Sequence, residues 1–389
     1  MFTRKSLATI VFALFVLVSV VAETGAQTAT TFVTGLRNPV KIIYAQRGGY
    51  FLVSEAGSAG MTNNGRVSIV TNQGAVSTLL GGLPSGPAAP NNDPSGPSAM
   101  WLDGNSLYIA ISTGNATLAG PAPGSEIPNP HPASPLFSSI LQLQLPDIRL
   151  AQLSFQIQPA DHTRLAHGES LILGTGGHHA TLRMVANFPD FTPAFRPDVP
   201  NNVRNSNPFG LVGSGNKLYV ADAAQNQIRT VNLVNGNTEI FFAFPPRMNP
   251  LPGPPVIDAV PDSLRLFGNK LLVTFLTGFP FPAGVADVRQ IDLESGAESQ
   301  VIGGLRMAID VLPATSGFCH SFYTLEFQSN SAVAASGRIQ RFTSPTGTPT
   351  TVISNLTTPT SLALHPPSGD LLVTEIFPGR ITRISNIPQ

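Results

Sequence analysis

Apolar residues recur along this chain in short alternating runs, with few long stretches at helical spacing, and the runs repeat in a fixed order. A proline enters an apolar strand, a Gly or Asn turn follows, then an alternating strand, a loop, and two more strands about a glycine turn. Six copies are legible. The first runs from Pro39 through Tyr50–Glu55, Arg66–Val70 and Val76–Leu80. The second starts at Pro97, has Leu107–Ala110 as its second strand and resumes after a long loop at Ile140–Leu143. The third, from Pro208, is the cleanest, with Leu218–Asp222, Gln227–Val231 and Thr238–Phe241. The fourth starts at Pro261 and carries Leu271–Thr274 and Val288–Ile291. The fifth begins near Ile309 without the entry proline, and holds Phe322–Glu326 and Arg338–Phe342. The sixth starts at Pro359, with Leu371–Glu375 and Arg380–Ile384.

Repeats of roughly 40–50 residues built from four strands are the pattern of propeller blades, so the expected fold is an all-β, six-bladed β-propeller. Gly104-Asn105, Gly215-Asn216 and Gly268-Asn269 supply the positive backbone angles of tight hairpins. The last copy ends after three strands, whereas Thr30–Thr34 stands unused before the first. These deficits match. The N-terminal strand is therefore expected to complete the last blade and close the ring, which removes exposed edges. A two-domain sandwich explains the strands but not this match.

The N-terminus changes the picture next. Arg4 and Lys5 precede an apolar run, Leu7–Ala22, and Thr24-Gly25-Ala26 is suited to cleavage, so residues 1–26 read as a signal peptide and 27–389 as the propeller domain. Cleavage after Ala22 is the alternative, and the run is shorter than the roughly 20 residues a spanning helix needs. The expectation is a secreted protein, extracellular or periplasmic, a monomer without stable membrane insertion. Cys319 is the only cysteine, which excludes an internal disulfide framework. Basic and acidic residues balance at 22 each, and charged residues are 11% of the chain, so no footprint for nucleic acid or anionic lipid is visible.

The segments Ser206-Asn207-Pro208-Phe209-Gly210-Leu211, Val220–Asn226 and above all Leu276–Gly284 resemble the ScyD/ScyE-like family of exported propellers, relatives of NHL-repeat and gluconolactonase-like proteins. The resemblance covers essentially the whole mature chain and implies a fold and an export route. By the family's name it also implies an accessory role in the maturation of a scytonemin-like secondary metabolite. Ala160–Arg204 departs from the simplest pattern, being long and rich in Asn, Pro and His.

Glu55, Asp222, Glu326 and Glu375 end the second strand of their blades, and converging oxygens of this kind are what a hard cation such as calcium requires. The favoured reading is structural, each acid accepting backbone N–H groups of the loop that follows its strand. The histidines, His131, His162, His167, His178, His179, His320 and His365, show no zinc spacing and read as solvated loop residues. No Gly-x-Ser-x-Gly elbow marks a nucleophile, and Gly174-Thr175-Gly176-Gly177 lacks the lysine of a phosphate loop. Catalytic residues therefore go unassigned. Loop lengths place most of the variation on one face of the ring, where Gly278–Gly284, with Phe279 and Phe281, and Ala160–Arg204 are the expected contributors. The leading reading is a binding or scaffold protein for a protein or small-molecule ligand. A metal-dependent hydrolase or lactonase is the alternative.

Overall fold

The computed structural model describes residues 27–387, apart from 150–151, 175–177, 317–318, 331 and 345; the expected leader and the Thr175-Gly176-Gly177 run lie outside the described residues. Six antiparallel units stand round a ring, and the first strand of each is innermost, flanked by the first strands of the blades on either side. Blade 1 comprises Pro39–Ala45, Tyr50–Glu55, Gly65–Thr71 and Val76–Leu83. Blade 2 comprises Pro97–Asp103, Ser106–Ile111, Ser139–Gln144 and Ala180–Asn187. Blade 3 is Pro208–Ser214, Lys217–Asp222, Gln227–Asn232 and Thr238–Ala243; blade 4 is Pro261–Phe267, Lys270–Phe275, Ala286–Asp292 and Glu298–Leu305. Blade 5 is Ala308–Ser316, Cys319–Glu326, Gly337–Phe342 and Thr350–Leu356.

Blade 6 closes the ring as the unmatched ends require. Its first three strands are Pro359–His365, Asp370–Glu375 and Arg380–Ser385, and its outer strand is Thr28–Val33. Thr30 lies opposite Arg383 and Thr31 opposite Thr382, in antiparallel register.

The period of two along each second strand sends alternate side chains to the two neighbouring blades. Leu52 packs between blades 1 and 2, while Phe51 and Val53 pack between blades 6 and 1. Among the described residues each of the six blade interfaces holds its own apolar cluster. Each fully buried Leu, Val or Phe contributes about 1.5–3 kcal/mol, so the ring is held by its interfaces and needs no disulfide.

The loops sort onto two faces. Turns after the inner strands form a short-turn face; links between blades and loops after second strands form a long-loop face. Residues 160–204 do not stand together on the long-loop face as expected, because Ala180–Asn187 is the fourth strand of blade 2, paired along Ser139–Gln144. Residues 145–179 thus join the third and fourth strands of blade 2 from the short-turn side. This excursion covers blade edges: Phe155–Gln156 pairs in parallel with Val76–Leu83, and Leu171–Leu173 extends blade 2. Between them lies the helix Pro159–Ala166, started by Pro159 and by the Asp161 carboxylate on the Gln158 N–H at 2.9 Å. Its His162 is buried with Nε2 2.8 Å from the Gly82 carbonyl. Gly82 has φ +74°, and a Cβ there would fall 2.0 Å from the Ile157 carbonyl oxygen, so only glycine fits. No helix among the described residues is long and apolar enough to cross a membrane.

Candidate functional site

Glu55, Asp222, Glu326 and Glu375 are buried, each in its own blade, and their oxygens are taken up locally. Glu55 accepts the Arg37 N–H at 2.5 Å, Arg66 Nε at 2.8 Å and the Ser68 hydroxyl. Asp222 accepts the Ser206 hydroxyl at 2.6 Å, the Asn207 N–H at 2.8 Å and Arg229 Nε at 3.2 Å. Glu326 accepts the Arg306 N–H at 2.8 Å and the Arg338 guanidinium. Glu375 accepts the Thr357 N–H at 2.6 Å, two Arg380 donors at 2.8 Å and the Thr382 hydroxyl. Burial pushes the Glu375 carboxyl upward, but Arg380, Thr382 and the Thr357 N–H outweigh it and hold it below the usual range. In each case an acid at the end of the second strand accepts backbone N–H groups as expected, but of the incoming interblade link more than of the following loop, and clasps that link to the arginine of the third strand. The fold does not bring the four acids together, and no cluster of three or more His, Cys, Asp or Glu side chains suited to a metal occurs among the described residues.

The histidines divide. His131, His167, His178 and His179 are exposed, as expected of loop residues, whereas His162 and His365 are buried. His365 stacks on Phe51 with ring centroids 5.7 Å apart.

On the long-loop face a cleft of about 520 Å³ opens between loops of blades 2, 3 and 4, lined by Glu126, Asn202, Arg204, Asn205, Asn207 and Asp258 among others. Arg204 Nη2 and Asp258 Oδ1 pair at 2.7 Å. Asn205 Nδ2 donates to Glu126 Oε2 at 2.8 Å, and Asn202 Oδ1 accepts the Glu126 N–H at 3.0 Å. Gln225 Nε2 ties the strand down by donating to the Arg204 and Asn205 carbonyls at 2.9 and 2.8 Å. Asn205 Oδ1 is buried and has no hydrogen-bond partner. Beside the cleft, Gly278 packs on Asp258 and donates its N–H to the Asp258 carbonyl at 2.9 Å. That contact sets the loop carrying Phe279, which is 80% exposed and meets Phe281 edge-on at 6.0 Å. Of the two segments expected here, 278–284 stands on this face and only the 188–204 part of the other does.

The channel holds a second group of polar residues that sequence reasoning missed. Lys41, Asp262, Ser263, Asp310 and Ser361 sit at the second or third positions of their inner strands and are buried. Asp310 is the hub. It accepts Arg265 Nη2 at 2.7 Å, Lys41 Nζ at 3.2 Å, Ser263 Oγ at 2.6 Å, Ser361 Oγ at 3.0 Å and the Leu362 N–H at 2.9 Å. Burial alone would raise its carboxyl, but Arg265 and Lys41 hold it well below the usual carboxylate range. Asp262 differs: burial raises it well above that range, Lys41 only partly offsets this, and its Oδ1 lacks a partner. Burial and the nearby Arg265 charge lower the Lys41 ammonium to about 8 against the pull of Asp310. The available signal was a charge within two residues of the strand entry in three of the six copies.

No family model matches the sequence, and no curated protein matches it. Solved structures do. An auxiliary nutrient binding protein from Bacteroides thetaiotaomicron superposes with a TM-score of 0.52 at 10% identity, over 92% of this chain and 76% of that one. Virginiamycin B lyase from Staphylococcus aureus superposes with a TM-score of 0.45 at 11% identity, over 92% of this chain and 98% of that one. At such identities the likeness is one of fold: this chain is similar to other propellers in architecture, and its chemistry has to be argued from its own residues.

Proposed function

We propose that this chain is an exported binding protein of ScyD/ScyE type that takes an uncharged, hydrogen-bonding ligand on its long-loop face. The cleft between blades 2, 3 and 4 carries this reading. Its size lies within the range of small-ligand sites. Arg204 and Asp258 neutralise one another and the Glu126 carboxylate accepts from Asn205 and the Thr117 hydroxyl, so the remaining selecting groups are amides and one hydrogen-bond acceptor. The unpartnered Asn205 Oδ1 calls for a donor, since a buried acceptor left alone costs about 1–3 kcal/mol. Phe279 offers an apolar ring beside the cleft for the ligand's flat side. Export rests on the basic start and apolar run of Met1–Ala22, and mass analysis of protein from its host is expected to find a chain starting near Gln27 or Glu23.

The binding experiment is calorimetric titration with neutral oligosaccharides and uncharged peptides. Asn205→Ala and Phe279→Ala are expected to weaken any ligand found, and Asn216→Ala on the short-turn face to leave it unchanged. A panel that gives no heat, or a ligand lost with Asn216→Ala and kept with Asn205→Ala, overturns the reading.

A further inference from the structure

The inner strands begin and end differently. Their first residues, Pro39, Pro97, Pro208, Pro261, Ala308 and Pro359, are all buried under the long-loop face. Toward the short-turn face the channel widens into a cavity of about 450 Å³ to which every blade contributes an apolar wall: Ile43, Trp101, Val212, Leu266, Leu312 and Leu364. Leu364 is 44% exposed, and Ile43, Trp101, Leu266 and Leu312 are half-buried. Concave apolar surface left open to water marks a site that a ligand covers. Trp101 is set in place by the next blade, because a Cβ on Gly213 would fall 2.3 Å from its Nε1.

The floor of this funnel is charged. Arg265 lines it, with Nε and Nη2 committed to Asp310 and Nη2 also to the Leu362 carbonyl at 2.7 Å, while Nη1 makes no hydrogen bond among the described residues. Lys41 lines it too, and shares the Asp310 carboxylate with Arg265. Among the described residues two cations thus line the cavity and no carboxylate does. A neutral apolar guest would strip water from Arg265 Nη1 without replacing it, and a cation would meet excess positive charge. A carboxylate satisfies both requirements and matches the guanidinium fork.

We propose that the short-turn mouth of the channel binds a small amphiphilic carboxylate, its apolar body against the six-blade wall and its carboxylate on Arg265. The site lies on the opposite face from the cleft and takes a different chemistry, so the two proposals stand or fall separately.

Trp101 is the only tryptophan in the chain, so its emission reports on this cavity alone. The purified protein is titrated with decanoate, decanol and decyltrimethylammonium below their micellar concentrations, and with 1-naphthoate as a compact aromatic acid. Decanoate or naphthoate is expected to shift the emission saturably, with the tighter of the two assigning an alkyl or an aromatic body. Decanol is expected to bind at least about tenfold more weakly and the cation not at all. Arg265→Gln is expected to erase the preference for acid over alcohol. Because that change also disturbs Asp310, Leu364→Glu at the exposed rim serves as the second variant, expected to weaken acid binding by about tenfold while the unfolding midpoint holds. Equal binding of decanol and decanoate, silence with both acids, or acid binding untouched by Leu364→Glu overturns the proposal.

Discussion

The long-loop and short-turn faces of this ring solve the end of the channel in opposite ways. On the long-loop face, the interblade links and the four clasping acids draw the chain over the strand entries, and the concavity that remains lies off-axis, walled by amides, Glu126 and one ion pair. On the short-turn face, two-residue turns such as Gly104-Asn105 and Gly215-Asn216 are too short to reach the axis, so the ends of the inner strands themselves line an open apolar mouth. Loop length is therefore a poor guide to where a pocket is. Long loops fill as readily as they enclose, and a tight turn exposes what lies behind it.

The largest effect is expected from the strand that both faces share. Deleting residues up to Leu36 removes the outer strand of blade 6 and the buried Val33 and Leu36, a loss of roughly 3–6 kcal/mol by burial alone, visible as a lowered melting temperature. An unchanged melting temperature would show that the ring does not depend on this strand. Asp310→Ala comes next: it leaves the buried Lys41 and the partly buried Arg265 without their counter-ion, and denaturant unfolding is expected to show about 3 kcal/mol lost. Asp222→Ala separates the faces. It frees the 206–207 link that borders the cleft and unpairs the nearly buried Arg229, with about 3 kcal/mol lost and cleft binding weakened, while decanoate binding at the funnel is expected to persist.

Proton linkage gives a gentler test. Lys41 titrates near 8, lowered by burial and by Arg265 against the pull of Asp310 and Asp262, so its charge is present below that pH and lost above it. Acid binding at the funnel is expected to weaken by about tenfold between pH 7 and pH 9, as the floor loses one of its two cations, while cleft binding stays level. A flat profile at the funnel would remove Lys41 from the site. Smallest in stability is Phe279→Ala, expected within about 0.5 kcal/mol of the parent because the ring is exposed, so any loss of cleft binding it causes reports contact and not unfolding.

Much of this architecture is legible in the residues themselves. Alternation at Tyr50–Glu55 or Lys217–Asp222 names a strand between two packed neighbours, and the unmatched Thr30–Thr34 names the ring closure, seen as the strand Thr28–Val33. The clasping acids were legible by position and as acceptors of backbone N–H groups, but the segment they hold was not. Which donors reach Glu55 depends on the Arg37 N–H, 18 residues away in another strand connection. Ala180–Asn187 carries a readable strand pattern, yet its membership in blade 2 was hidden by the 145–179 excursion, because a local pattern does not say which edge a strand joins.

The sequence by itself determined the repeat, the count of blades and the closure, since these follow from a period of two repeated at short range and from edges that must be paired. Only the tertiary structure decided that Lys41, Arg265 and Asp310 meet, although 269 residues separate Lys41 from Asp310. Ring closure brings the early positions of all six inner strands to one axis. There both Asp262 and Asp310 are buried, and it is the partners that meet them, Arg265, Lys41 and two hydroxyls on Asp310 against an unpartnered Oδ1 on Asp262, that set their carboxyls apart.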